Sequence, residues 1–76
     1  MPTLRSVMSQ VLRLPVDAID DDASMRTLPQ WDSLKHMDLI VSLEEAYGLT
    51  LDGDEIAAMT SYGAIAAVLR RKGVTP

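Results

Sequence analysis

Ser33 is the residue of this chain whose neighbours most suggest chemistry, because Asp32 precedes it and His36 follows it by one helical turn. A serine hydrolase needs a base that a third group orients and an oxyanion hole that faces a substrate cleft. Here the single histidine of the chain and Ser33 would lie on one helix, without such a third group, and 76 residues leave little room for a cleft. We therefore predict no catalytic residue. His36 has no further ligands at helical spacing, so we predict no metal site either.

The element that must position Ser33 is a helix within the stretch of residues 31–48. Asp32 is a preferred N-cap residue, no proline interrupts the following segment, and Gly48 is typical of a left-handed C-terminal stop. At about 100° per residue, one arc of this helix is apolar and is expected in the core. That arc carries Leu39, Ile40, Leu43, Ala46 and Tyr47. Ser33 then lies in the first turn, where free N–H groups and the helix dipole favour an anion such as a phosphate ester.

A second apolar arc lies on the opposite side of the same helix. It is formed by Leu34, Met37 and Val41, and the acidic residues interleaved with it are Asp38, Glu44 and Glu45. A helix in so short a chain cannot bury both sides, so this arc is expected to face solvent. An apolar stripe with an acidic rim is typical of a docking surface, whereas the alternative is a set of scattered surface residues without a function.

Two side chains near Ser33 have structural interpretations. His36 lies on the core arc, and we expect it to be partly buried and hydrogen-bonded to the preceding loop. Trp31 is expected to pack that loop against the core as an aromatic staple.

The rest of the chain predicts an all-α fold of four helices, three longer and one short, in one domain over residues 1–76. The predicted helices lie within residues 4–14, 31–48, 54–59 and 62–72, and Thr3 and Ser61 are the expected caps of the first and the last. On the first helix, Arg5, Ser9 and Arg13 are expected to face outward. The long loop over residues 15–30 separates the first two helices. Apolar residues expected to pin it are Ile19, Met25 and Leu28. Its acidic run, Asp20 to Asp22, lacks the ligand pattern of a calcium loop and is interpreted as solvated.

Composition limits the partners and the compartment. The net charge of −4 argues against nucleic acid, and the absence of cysteine excludes disulfides and thiolate metal sites. No apolar run reaches the length of about 18 residues that a membrane span needs. We therefore expect a soluble, monomeric, cytoplasmic protein.

Several motifs of the chain resemble those of the acyl carrier proteins. The resemblance is carried by Asp32-Ser33-Leu34, Leu39, Leu43-Glu44-Glu45 and Tyr47-Gly48, and it extends over nearly the whole chain. It implies a carrier rather than an enzyme. A phosphopantetheinyl transferase would move 4′-phosphopantetheine from coenzyme A to Ser33, with Asp32 and Leu34 flanking the site, and the thiol of the arm would hold an acyl group. It also implies that acyl-loading and acyl-transferring enzymes bind the outward arc, that is, Leu34, Met37, Asp38, Val41, Glu44 and Glu45.

The sequence departs from fatty-acid carriers around the motif. Trp31 precedes it, and Lys35 and His36 follow it where an acidic residue is frequent. We therefore expect a carrier of a specialised fatty-acid, polyketide or lipid pathway. The alternatives are an aminoacyl or peptidyl carrier, which shares the fold and the serine, and an unmodified helical interaction domain.

Overall fold

The computed structural model describes residues 3–76, and this part of the chain folds into four α-helices joined by loops. The helices are α1 (Leu4–Leu12), α2 (Ser33–Tyr47), α3 (Gly53–Ala58) and α4 (Tyr62–Arg71), and a single 3-10 turn follows α1 at Val16–Ala18. The predicted all-α fold, with three longer helices, one short helix and a long loop between the first two, is confirmed. Within residues 3–76, none of the helices combines the length and the apolarity that a bilayer crossing requires.

The helix boundaries differ from the predictions by one or two residues. α1 was predicted to end at Leu14, which was wrong: it ends at Leu12, and Arg13 follows in the left-handed region with φ of 57°. The side chain of Ser9 donates a hydrogen bond to the carbonyl of Leu14, which holds this reversed exit. The predicted end was late because a following proline already disfavours helical backbone at Leu14. α3 begins and ends one residue earlier than predicted, and α4 ends one residue earlier.

Capping residues explain where the helices begin. Thr3 and Ser6 form a reciprocal capping box at the start of α1. Asp52 and Glu55 form a second one at α3, and the Ser61 hydroxyl accepts the N–H of Ala64 at α4. These side chains satisfy N–H groups that a helix start leaves without intrahelical partners.

The core lies between α1, α2 and α4, and most of its buried side chains are aliphatic. α1 packs along α2, and the predicted core arc of α2 contributes its most buried residues. The fully buried side chains are Leu4, Met8, Leu12, Ile19, Trp31, Leu39, Leu43, Met59, Ile65 and Leu69. Burial also raises the pKa of the Tyr47 hydroxyl at the end of α2, and the nearby Tyr62 acts in the same direction.

The long loop before α2 is held in place by packing of its side chains and by backbone hydrogen bonds. Ile19 is buried, and Met25 and Leu28 pack against the core, which confirms the three predicted pins. The backbone adds two hydrogen bonds to the segment that leads into α4: the N–H of Met25 donates to the carbonyl of Thr60 (3.0 Å), and the N–H of Tyr62 donates to the carbonyl of Ala23 (2.8 Å). The loop is therefore a fixed part of the fold that delivers the chain to the start of α2.

Arg5 departs from the prediction that it faces outward. Its side chain is one-third exposed, forms an ion pair with Asp21 of the loop, and lies over the ring of Tyr62 at 4.7 Å from the ring centroid. One Arg5 side chain therefore links α1, the loop and α4, a pairing across the fold that helical periodicity does not reveal.

Candidate functional site

The start of α2 is ordered by Asp32. This residue has extended backbone, and its Oδ1 accepts the N–H of Lys35 at 2.9 Å, as predicted for an N-cap. Its carbonyl accepts the N–H of His36 at 2.8 Å and so begins the helical ladder. Earlier N–H groups of the first turn, those of Ser33 and Leu34, have no intrahelical acceptor because of helix geometry. The start of this helix, 15 residues long, therefore presents donors and a positive dipole end.

Ser33 is the most accessible serine of the chain. Its side chain is exposed, and within residues 3–76 its hydroxyl has no hydrogen-bond partner. The other serines are all half-buried, and they are Ser6, Ser9, Ser24, Ser42 and Ser61. Among the side chains described, Ser33 alone combines an exposed serine hydroxyl with the start of a long helix.

The first turn of α2 rests on a buried pair of rings, Trp31 and His36. Trp31 is 1% exposed and His36 is 8% exposed, which confirms the predicted staple and the predicted partly buried histidine. The indole Nε1–H of Trp31 donates to Nδ1 of His36 at 3.0 Å. Because an indole N–H can only donate, Nδ1 carries no proton, and Nε2–H donates to the carbonyl of Ile56 at 2.9 Å. The sequence predicted the bond to the loop but not the bond to α3.

This arrangement argues against a hydrolytic role for Ser33. Both ring nitrogens of His36 already have partners within the fold, so the imidazole has no free lone pair to accept a proton from the serine. Within residues 3–76, no group of three or more potential ligands is placed to hold a metal ion.

The outer face of α2 carries the predicted apolar stripe. Leu34 is 79% exposed, Met37 is 52% exposed and Val41 is 50% exposed, and the acidic residues Asp38 and Glu45 are exposed beside them. These three apolar residues extend from the first turn, where Ser33 lies, along the helix. Ser33 and the apolar stripe are therefore both exposed on α2.

Glu44 differs from the other residues predicted to dock partners. It is half-buried, and its Oε2 accepts the N–H of Leu51 at 2.9 Å in the connection between α2 and α3. At least one of its carboxylate oxygens is therefore engaged in the fold. The sequence placed Glu44 with Glu45 because the two are adjacent, and helical spacing does not show a bond to a backbone amide seven residues away.

Polar side chains from neighbouring elements hold α3. Its Glu55 pairs with Lys72 at 3.0 Å, and Oε1 of Glu55 also accepts the N–H of Asp52. That backbone hydrogen bond, followed by the bond with Lys72, holds the pKa of the Glu55 carboxyl below its usual range. The bond from His36 to Ile56 fastens the other end of α3.

A family model described as the phosphopantetheine attachment site matches residues 2–69, which is nearly the whole chain. The chain belongs to this phosphopantetheine-binding family. It is a non-catalytic carrier domain, and the prosthetic group of such a domain is 4′-phosphopantetheine. No curated protein matches the chain. The resemblance to carrier proteins noted in the sequence is thereby confirmed at the level of the family.

The start of α2 in this carrier domain fits a phosphate ester linked to a serine. It offers an exposed hydroxyl without a competing partner, N–H donors of the first turn, and the positive end of the helix dipole. The exposed side chains of Leu34 and Met37 border it with apolar surface. Membership of the family also implies a phosphopantetheinyl transferase as a partner.

Proposed function

We propose that Ser33 is the attachment residue and that this single domain, residues 1–76, carries an acyl group for a dedicated biosynthetic pathway. The observation that carries the proposal is the exposed, unpartnered Ser33 hydroxyl in the first turn of α2, beside an apolar stripe that no other part of residues 3–76 covers. Asp32 and Leu34 flank the attachment point. Asp32 fixes the helix start by capping, and Leu34 supplies apolar surface next to the hydroxyl.

The chain contributes positioning, and the cofactor contributes the reactive group. When bound, 4′-phosphopantetheine supplies a thiol that holds the acyl group as a thioester, and the chain itself contains no cysteine. In the attachment reaction, Ser33 Oγ forms a bond to the β-phosphorus of coenzyme A and releases adenosine 3′,5′-bisphosphate. The proton of the hydroxyl passes to a base of the transferase, because His36 is fully engaged within the fold.

The outer face of α2 is the proposed docking surface for the transferase and for acyl-loading and acyl-transferring enzymes. Leu34, Met37 and Val41 supply apolar contacts, and Asp38 and Glu45 supply charge for partners with basic surfaces. Exposed charges at the rim of an interface mainly raise the association rate and set the register, and they add little affinity. Such weak contacts suit a carrier that must leave each enzyme quickly.

The experiment that tests the proposal is intact-mass measurement after incubation with coenzyme A and a broad-specificity phosphopantetheinyl transferase. Wild-type protein is expected to gain one phosphopantetheine, Ser33→Ala to gain none, and Ser42→Ala, which removes a half-buried serine of the same helix, to gain one. Modification of Ser33→Ala would overturn the assignment. If the wild type gains nothing while a control carrier is modified, the chain is an unmodified interaction domain.

A second measurement separates acyl cargo from aminoacyl or peptidyl cargo. The loaded protein is recovered from its producing cells, and the thioester is cleaved with neutral hydroxylamine. We expect a hydroxamate whose mass and fragmentation show a fatty or polyketide acid. A hydroxamate of an amino acid or peptide would assign the chain to the peptidyl carriers instead.

A further inference from the structure

We propose that His36 is a positioning residue for the attachment site: it holds the segment before Ser33 and the end of α3 in a fixed relation to the first turn of α2. The inference rests on the proposed role of Ser33. Three elements meet at one imidazole, since Trp31 belongs to the loop, His36 to α2 and Ile56 to α3.

The bridge brackets the attachment residue along the chain. Trp31 lies two residues before Ser33, and His36 lies three residues after it. The exposed Ser33 therefore lies, along the chain, between two buried rings whose centroids are 6.0 Å apart. A shift of either ring would move the chain on one side of Ser33, so the bond between the rings fixes both sides at once.

Burial makes the three partners depend on one another. The indole N–H and the two imidazole nitrogens lie in side chains that are 1% and 8% exposed, so water cannot readily replace a lost partner. Leaving a buried donor or acceptor without a partner costs more free energy than one hydrogen bond contributes net. The fold therefore favours the single geometry in which the indole N–H and both imidazole nitrogens have partners. The network therefore selects one arrangement of the loop, α2 and α3.

The bond between His36 and the carbonyl of Ile56 matters most for α3. No residue of Gly53–Ala58 is fully buried, and within this helix only the half-buried side chain of Ile56 packs against the core. The bond from His36 Nε2 to the Ile56 carbonyl brings the last turn of α3 beside the first turn of α2. Ala57 and Ala58, which are exposed, follow Ile56 directly in the chain. A partner that docks on the stripe of α2 meets both helix ends as one preorganised surface.

If His36 is a positioning residue, its substitution should change KM and leave kcat unchanged. His36 is buried and engaged with Trp31 and Ile56, so its loss is expected to leave the chemical step unchanged. Loss of a preformed docking geometry weakens binding of the substrate protein, which appears as a higher KM with kcat retained. A catalytic role would lower kcat instead.

The test measures phosphopantetheine transfer to the full chain with a broad-specificity transferase, with the carrier concentration varied. His36→Leu removes both hydrogen bonds at similar volume, and we expect its KM to rise about fivefold, the factor that corresponds to one net hydrogen bond. His36→Gln keeps an acceptor and a donor and is expected to recover much of this loss. Val7→Ala, in the core on α1, controls for a general loss of stability and should keep the wild-type KM.

Trp31→Phe gives an independent variant, because it keeps an aromatic ring and removes only the indole donor and part of the volume. Its KM is expected to rise as well. The chain has one tryptophan, so the indole N–H gives a single NMR resonance, which should shift upfield and exchange faster with solvent in His36→Leu. Exchange of the α3 amides should accelerate in both variants and much less in Val7→Ala.

Three results would overturn the inference: an unchanged KM in both His36→Leu and Trp31→Phe, a KM change in Val7→Ala as large as theirs, or a fall in kcat alone. These failures are distinct from failure of the proposed function. In that case the wild type itself would take up no arm, or Ser33→Ala would take it up.

Discussion

α2 and α3 follow one another in the chain and are held in the fold by different forces. α2 has 15 residues and inserts Leu39, Ile40 and Leu43 into the core. α3 has six residues, of which only the half-buried Ile56 packs against the core, and polar contacts fasten it at both ends, from Lys72 to Glu55 and from His36 to Ile56. The comparison indicates that the small core mainly fixes the helix that bears Ser33, whereas its neighbour depends largely on directional bonds.

The two kinds of contact differ in strength. Burial of one leucine side chain contributes about 1.5–3 kcal/mol, whereas one hydrogen bond contributes about 0.5–1.5 kcal/mol net. α3 is therefore expected to open locally at a free energy well below that of global unfolding, while α2 opens only with the whole domain. Under the proposed function, a stiff α2 beside a looser α3 is a suitable arrangement for a carrier that fits several enzymes in turn.

Truncation of the α2 core should have the largest effect. Leu43→Ala is expected to lower the free energy of unfolding by about 2–5 kcal/mol, because it leaves a cavity in a thin core. Leu34→Ala removes the same atoms from a side chain that is 79% exposed and should cost less than about 0.5 kcal/mol. Urea denaturation followed by far-UV circular dichroism measures both. Equal losses would contradict the assignment of two faces to α2.

The connection between the two helices offers a second test, with adjacent glutamates as a matched pair. Glu44→Ala leaves the N–H of Leu51 without its acceptor and is expected to cost about 1 kcal/mol, whereas Glu45→Ala should cost almost nothing. Hydrogen exchange of the Leu51 amide should accelerate only in Glu44→Ala, and Glu44→Gln should restore most of the protection. Equal effects at both positions would show that the bond of Glu44 is not significant in solution.

The α2 side of this comparison could be predicted from the sequence. Asp32 and Gly48 mark both ends of the helix, and the apolar periodicity separates its buried face from its exposed one. Such local signals suffice because an N-cap, a left-handed stop and an amphipathic face each depend on residues within one element. α1 shows the limit of local signals, since Pro15 suggested a later end than the left-handed Arg13 gives.

The contacts of α3 could not be predicted in this way. His36 binds a backbone carbonyl 20 residues away, and Glu44 binds a backbone amide seven residues away. Every residue offers such backbone groups, so the sequence of the partner carries no signal. Arg5 and Asp21, which pair through their side chains, are also remote in sequence, 16 residues apart. Ser33 is proposed as the attachment residue from its place at a helix start, whereas the bond between Trp31 and His36 required the fold.

The exposed face of α2 should affect function more than stability. Val41→Ala and Leu34→Ala are expected to lower kcat/KM for phosphopantetheine transfer by about fivefold, because apolar anchors dominate interfaces. Val16→Ala is the matched control, since this valine is 46% exposed and lies on the turn after α1. Its kcat/KM should stay at the wild-type value. A similar loss in Val16→Ala would mean that the docking surface is not confined to α2.

Reversal of charge on the same face should have a smaller effect that depends on salt. Asp38→Lys is expected to reduce the association rate with a transferase that presents a basic surface, by about twofold at low ionic strength and less at 0.5 M salt. The helix content, measured by circular dichroism, should not change because Asp38 is exposed. Rates that do not change with either the substitution or the salt concentration would argue against electrostatic steering by this face.

The smallest effect is expected at Glu55, and the lowered pKa of its carboxyl determines how the stability of α3 changes with pH. The hydrogen bond from the Asp52 N–H, followed by the bond with Lys72, lowers the pKa of this carboxyl in the folded state. Glu55 therefore stabilises α3 at pH values above the pKa of an ordinary glutamate, and this contribution is lost as the pH falls through the lowered value.

Substitution of Glu55 by glutamine tests this sign, because glutamine keeps an acceptor for the Asp52 N–H but does not titrate or pair with the charge of Lys72. We expect α3 amides to exchange faster in Glu55→Gln than in the wild type at neutral pH, and the difference to disappear on acidification. High salt should reduce the difference as well, since the pair is near the surface. A difference that grows on acidification would show that polar contacts of Glu55 do not hold α3, and the contrast with α2 would then rest on His36 alone.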